Sequence, residues 1–147
     1  MSVLEQLFPG LCATPHLITS PRTRLYNCIA WAAGDDANWW WPTNAAGDAL
    51  RYWPVGAPRE ETLAAFAAAF ATLDFTECAN EFLEPDFEKV ALFVDARGAP
   101  THAARQLPTG LWTSKLGQWE DIEHDLHALK GEIYGAVAML LKRALRK

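Results

Sequence analysis

Apolar and polar positions change period several times along the chain, and each change predicts an element. From Arg59 to Leu73 the apolar residues Leu63, Phe66, Phe70 and Leu73 recur at helical spacing, with alanines between them. Pro58 stands where helices begin, and Glu60 and Glu61 suit the positive end of a helix dipole. The spacing therefore predicts a helix over 59–73. A shorter helix is expected over Cys28-Ile-Ala-Trp-Ala-Ala, with Asn27 as its N-cap and Gly34 as its stop. The run Val90-Ala-Leu-Phe-Val reads instead as a strand buried on both faces. A turn at 95–100, a strand over 101–107, a turn at 108–110 and a strand from Leu111 to Ser114 complete a three-stranded antiparallel meander. In the tail, Val137, Leu140, Leu141 and Leu145 line up on one side of a second long helix over 133–145.

The remaining segments carry no sustained period. Residues 1–25 hold Pro9, Pro15 and Pro21 and read as an irregular arm, with a short helical turn near Val3 to Leu7. Residues 35–58 are rich in Trp, Asn, Gly and Pro and read as a long ordered loop. No repeat or low-complexity linker interrupts the 147 residues, so one α+β domain spanning 1–147 is expected.

Composition narrows the classes. Lysine plus arginine number 13 against 18 acidic residues, a formal charge of −5, which disfavours a protein built to coat nucleic acid. The apolar runs are too short for a membrane span, and no basic, apolar leader opens the chain, so a cytoplasmic protein is expected. The cysteines, Cys12, Cys28 and Cys78, are odd in number and form no CxxC pair. A disulfide framework and a structural zinc site are both disfavoured. His124 is expected to cap or precede a helix containing His127, and neither has partners at metal spacing. Neither a metal nor a cofactor is expected.

Two residues stand out chemically. Cys28 opens a helix, where free N–H groups and the dipole favour an anion, so a lowered thiol pKa is expected. The alternative is a small buried hydrophobe. His102 begins a strand just after a turn, and a neutral imidazole within reach of a thiol can take its proton. If Pro108, Thr109 and Gly110 form a three-residue hairpin loop, Leu107 pairs with Leu111 and Ala104 with Ser114. His102, Ala104, Gln106, Trp112 and Ser114 then share one face. Ser114 becomes the diagonal neighbour whose hydroxyl can orient the imidazole. Trp39, Trp40 and Trp41 either line a groove or plug the Cys28 helix.

Several stretches together resemble an uncharacterised bacterial family of small papain-like cysteine peptidase domains, similar in layout to the NlpC-type and CHAP groups. They are Tyr26-Asn-Cys28-Ile-Ala-Trp31-Ala, the run from Lys89 through His102 to Leu107, Gly110-Leu-Trp-Thr-Ser114-Lys115-Leu-Gly117, Ile122-Glu-His124 and Tyr134-Gly135. The resemblance covers roughly residues 24–143. It implies a papain-like fold, with a nucleophile-bearing helix packed on a small antiparallel sheet and additional helices. It implies Cys28 as nucleophile and His102 as base, with Ser114 as third member, or Gln118 or Asp121 if the strand runs longer. The oxyanion-binding Gln of papain-type enzymes is absent upstream of the cysteine. Thr23, Tyr26 or Asn27 would assist the Cys28 N–H, and Trp31 and Lys115 are further candidates for substrate contact.

The expected function is a thiol-dependent hydrolase or acyl transferase acting on an amide bond, in a peptide, a peptidoglycan stem or a glutamine side chain. The alternative is a papain-like binding or immunity-type module without turnover, recognising a protein partner.

Overall fold

A computed structural model describes residues 2–43, 51–116 and 119–145. Its elements run α1 (Val3–Leu7), β1 (Leu17–Ser20), α2 (Cys28–Ala33), α3 (Leu63–Ala71), β2 (Thr76–Glu77), β3 (Phe87–Val94), β4 (Pro100–Gln106), β5 (Trp112–Lys115), β6 (Asp121–His124) and β7 (Ala136–Ala144). The class is α+β, with one seven-stranded sheet in the order β1-β6-β5-β4-β3-β7-β2. Every pairing between these strands is antiparallel.

The helix ends follow from local chemistry. Ser2 and Glu5 form a capping box at α1, each side chain bonding the other's backbone N–H. Asn27 caps α2 by accepting from Ala30 N–H, and Gly34 ends it in the left-handed conformation. The third helix begins at Leu63, because Thr62 accepts from Ala65 N–H and so caps it four residues after the expected start at Arg59. Pro58 is used differently: its carbonyl accepts from the Trp53 indole.

The tail is a correction. Residues 136–144 form a strand where a helix over 133–145 was expected. It lies between β3 and β2, so both of its edges are hydrogen-bonded. Leu141 and Met139 pack with the α2 and α3 side, while Val137 and Leu140 pack on the opposite side. The ladder shifts register between Leu92 and Phe93, leaving Ala138 unpaired opposite β3. A strand apolar on both faces shows no alternation, and periodicity alone does not separate it from a buried helix. The meander is likewise only part of a wider sheet, since β1, β2 and β6 add strands at positions too short or too polar to register.

The sheet divides the core. On one face α2 and α3 bury Ile29, Ala30, Phe66 and Phe70 against Val90, Leu92 and Ala103. On the other, Leu4, Phe8 and Leu11 from the N-terminal arm and Leu126 and Leu129 cover Ala91, Phe93, Ala104, Trp112 and Ile122. Residues 2–25 thus supply one wall of the core, with the helical turn at Val3–Leu7 where it was expected. Gly10 is required there, because a Cβ would collide with the Ala128 carbonyl. Of the loop over 35–58, residues 44–50 lie outside the described residues.

Candidate active site

The register of the central hairpin positions the site. Arg105 pairs with Thr113 and Gln106 with Trp112, the pattern of a three-residue loop at 108–110. Alternation then carries His102, Ala104, Trp112 and Ser114 to the face covered by the N-terminal arm. Thr113, Lys115 and Ala103 go to the face covered by α2. Two independent contacts fix this assignment: the Trp31 indole of α2 donates to Thr113 Oγ1 at 3.0 Å, and His102 meets Phe93 edge-on at 5.2 Å.

A chain of hydrogen bonds runs from His102. Its Nε2 lies 3.0 Å from Ser114 Oγ, which lies 2.7 Å from His124 Nε2. His124 Nδ1 in turn lies 2.6 Å from the Asp125 carbonyl oxygen. The carbonyl can only accept, so His124 Nδ1 carries a proton. Burial pushes the His124 pKa down to about 4, so the ring is neutral at pH 7 and its Nε2 is an acceptor. Ser114 therefore donates to His124 and accepts from His102 Nε2–H. Burial, and then the neighbouring His124, hold the His102 pKa well below its ordinary value, so this ring too is neutral. Its single proton is on Nε2, and Nδ1 is left as a bare lone pair. That atom is buried with no hydrogen-bond partner. The Tyr134 ring lies parallel to the imidazole at 4.0 Å and covers it.

Cys28 sits across the strand. The β4–β5 ladder ends at Arg105 and Thr113. Leu107 N–H donates to Leu111 O, so by parity the Ala103 N–H also points towards β5. The β4–β5 pairing does not extend to Ala103, and its N–H is directed at the Cys28 thiol, joined by the N–H groups of Cys28 and Ile29. Nearby Lys115 adds a positive charge. These anion-favouring groups do not win. Burial is the largest influence and pushes the thiol pKa up to about 11, with the residue 6% exposed. The lowered pKa expected for a helix-opening cysteine is thus reversed, because desolvation outweighs one short helix end.

Nor does a hydrogen bond join the thiol to His102: one ring nitrogen is taken by Ser114 and the other has no partner. The two groups approach the Ala103 backbone from opposite sides of β4. Tyr134 links the neighbourhoods, since it stacks on His102 and its hydroxyl pKa is raised by burial and by Cys28.

The other candidates have structural partners. Asn27 Oδ1 accepts from Ala30 and Trp40 N–H, and its Nδ2 donates to Trp40 O at 2.7 Å, leaving little capacity for an oxyanion. Tyr26 donates to Asp121 Oδ2 at 2.6 Å on the α2 face, so Asp121 is directed away from His102. Trp31 stacks on Tyr26 at 5.4 Å. Lys115 is fully buried, its ammonium 5.5 Å from the Tyr26 ring and bonded to Trp119 O. Burial is the main reason its pKa is lowered, against Asp121 and Cys28, which raise it. Thr23 Oγ1 accepts from Leu25 N–H on the surface. Gln118 lies outside the described residues. The tryptophan triplet splits: Trp40 is buried and donates to Asp35, Trp41 meets Phe66 edge-on, and Trp39 stacks under Arg51.

His124 precedes the 3-10 helix Leu126–Leu129 that contains His127, as expected, but it also closes β6 and bonds Ser114, a role that sequence reasoning missed; His127 lies 2.6 Å from Glu81. The signal was the alternation of Ile122 and His124, legible only once β6 is known to pair with β5. Among the described residues no cluster of three metal-ligating side chains occurs, and no helix is long and apolar enough to cross a membrane.

Fold and site thus define an α+β domain with a helix-opening cysteine beside a buried His–Ser–His relay. The chain belongs to the family described as Domain of unknown function (DUF7689), whose family model matches residues 17–142. No curated protein and no solved structure matches it.

Proposed function

We propose that this domain has a papain-like layout and is a cytoplasmic thiol-dependent hydrolase or acyl transferase acting on an amide bond. Its substrate is a peptide, a peptidoglycan stem or a glutamine side chain. The observation that carries the reading is the bare, buried Nδ1 of His102, held unprotonated by the relay through Ser114 and His124 to the Asp125 carbonyl. A buried nitrogen without a partner costs stability, and a proton-accepting role accounts for it.

In this mechanism the thiol rests protonated and the imidazole neutral. The reaction requires substrate binding to shift α2 against β4 so that the thiol and Nδ1, which lie on opposite sides of β4, meet at the amide. Cys28 Sγ attacks the amide carbon as its proton passes to His102 Nδ1, and the C–N bond breaks as that proton passes to the leaving nitrogen. Water or a second amine then takes the acyl group from sulfur. The Cys28 and Ile29 N–H groups at the start of α2 suit the developing oxyanion.

A second reading is favoured by the opposite orientation of thiol and imidazole about β4: a papain-like binding or immunity-type module in which Cys28 is core filler.

The test is acylation by p-nitrophenyl acetate, followed by peptide mass, alongside alkylation by iodoacetamide. The enzyme reading expects Cys28 to acylate faster than exposed Cys12. It also expects Cys28 to alkylate slowly, because its raised pKa leaves about 100-fold less thiolate than an ordinary thiol has. His102→Gln should slow acylation by at least about 100-fold. Cys28 inert to both reagents, or acylation indifferent to His102→Gln, would leave only the binding module.

A further inference from the structure

Between β2 and β3 the chain runs over a cavity of about 370 Å3, lined by Cys78, Asn80, Phe82, Glu84, Lys89 and Lys142. A thiol and an amine meet there at one oxygen. Cys78 Sγ donates to the Asn80 carbonyl at 3.6 Å, and Lys89 Nζ donates to the same atom at 3.0 Å. Sulfur and nitrogen are therefore neighbours around a single acceptor. The backbone fixes both residues: Cys78 N–H donates to Leu140 O of β7 at 2.8 Å, and Lys89 lies within β3, the strand that pairs with β7.

The two groups differ in their surroundings, and the difference suits a reaction between them. Lys89 is 1% exposed, and its ammonium also bonds Asn80 Oδ1 at 3.1 Å and Glu84 Oε2 at 3.4 Å. It is thus held beside the thiol, with a carboxylate placed to take its proton. Glu84 does not depend on Lys89 alone, because Lys142 binds its other oxygen at 2.8 Å. Cys78 is half-buried in the cavity wall, where a small oxidant can reach it. A sulfenic acid formed on such a thiol condenses with a thiol or a nitrogen held next to it.

We propose that Cys78 and Lys89 form a reversible covalent link when the protein meets hydrogen peroxide. The peroxide O–O bond breaks as one oxygen joins Cys78 Sγ, giving the sulfenic acid and a water. Glu84 takes a proton from the Lys89 ammonium, the freed Nζ lone pair attacks sulfur, and the S–O bond breaks. The departing hydroxide leaves as water with a second proton from Nζ. The product is an S–N sulfenamide: the thiol sulfur is oxidised by two electrons and peroxide is reduced to water. A dithiol returns the two electrons and restores both side chains. The link ties the end of β2 to β3, removes the Lys89 charge and leaves Glu84 to Lys142. It does not involve Cys28 and holds whether or not the domain turns over substrate.

Peptide mass mapping of the full chain after hydrogen peroxide, with and without dithiothreitol, tests it. Wild type should yield a peptide that holds both residues, is lighter by two hydrogens and resists trypsin at Lys89; dithiothreitol should reverse all three changes. Lys89→Arg keeps a positive charge beside Glu84 but lacks the amine, and should form no link. Dimedone, which traps sulfenic acid, should then label Cys78 at least about tenfold more in Lys89→Arg than in wild type, because no nitrogen competes for it. Cys78→Ser should also form no link, with thermal melts confirming the fold of both variants. If Lys89→Arg does not fold, the wild-type peptide and Cys78→Ser decide between them. Absence of the lighter peptide in wild type, a link that survives either substitution, or equal dimedone labelling of Cys78 in wild type and Lys89→Arg would each overturn the proposal.

Discussion

Acidification should unfold this domain through its buried histidines, and His124 allows the size to be worked out. In the folded chain its pKa is about 4, against an ordinary 6.5. The folded state therefore resists a proton that the unfolded state accepts. Stability from this group is complete above pH 6.5 and is lost as pH falls towards 4. At ~1.4 kcal/mol per pH unit, the loss across that window is about 3 kcal/mol. His102, held neutral by the same burial, adds to the slope in the same direction. Urea unfolding followed by tryptophan fluorescence at several pH values gives the slope directly. His124→Gln removes one titrating group, so its stability should fall about 1.4 kcal/mol less per pH unit than wild type in that window. Asp125 and His16 face His124 and are present in either protein, while removing His124 also relieves part of the depression of His102, which shallows the slope in the same direction. Identical slopes for the two proteins would show that His124 is not held neutral. The proton assignment along the relay, and with it the bare Nδ1 of His102, would then fail.

Two further changes probe how the site is held. Asn27→Ala removes the α2 cap and both bonds to Trp40, and should cost about 2–3 kcal/mol in chemical denaturation; a loss below about 0.5 kcal/mol would mean that water replaces those bonds. Gly135→Ala places a methyl group against the Val94 carbonyl at a φ of 75°, and should destabilise by at least about 2 kcal/mol while loosening the Tyr134 ring from His102. A crystal structure of that variant with Tyr134 still stacked would separate the two effects.

Local chemistry decided much of this protein without any tertiary information. The cap at Asn27, the stop at Gly34, the helix through Phe66 and Phe70 and the hairpin register around Pro108–Gly110 each depend on neighbours a few residues apart. From that register the nearness of His102 and Ser114 followed, because pleat alternation is set by the backbone alone. Tertiary structure decided the rest. The tail became a strand because β3 and β2 pair with its two edges, and it sends apolar side chains to the cores on both faces, which removes the polar alternation that marks a strand. His124 joined Ser114 only because β6 returns beside β5. The Cys28 pKa depended on burial, a property of everything packed above the thiol, and burial overcame the helix end that sequence could see. Glu84 pairs with Lys89 of β3 and Lys142 of β7, and Glu88 with Arg143, pairings that no local pattern encodes.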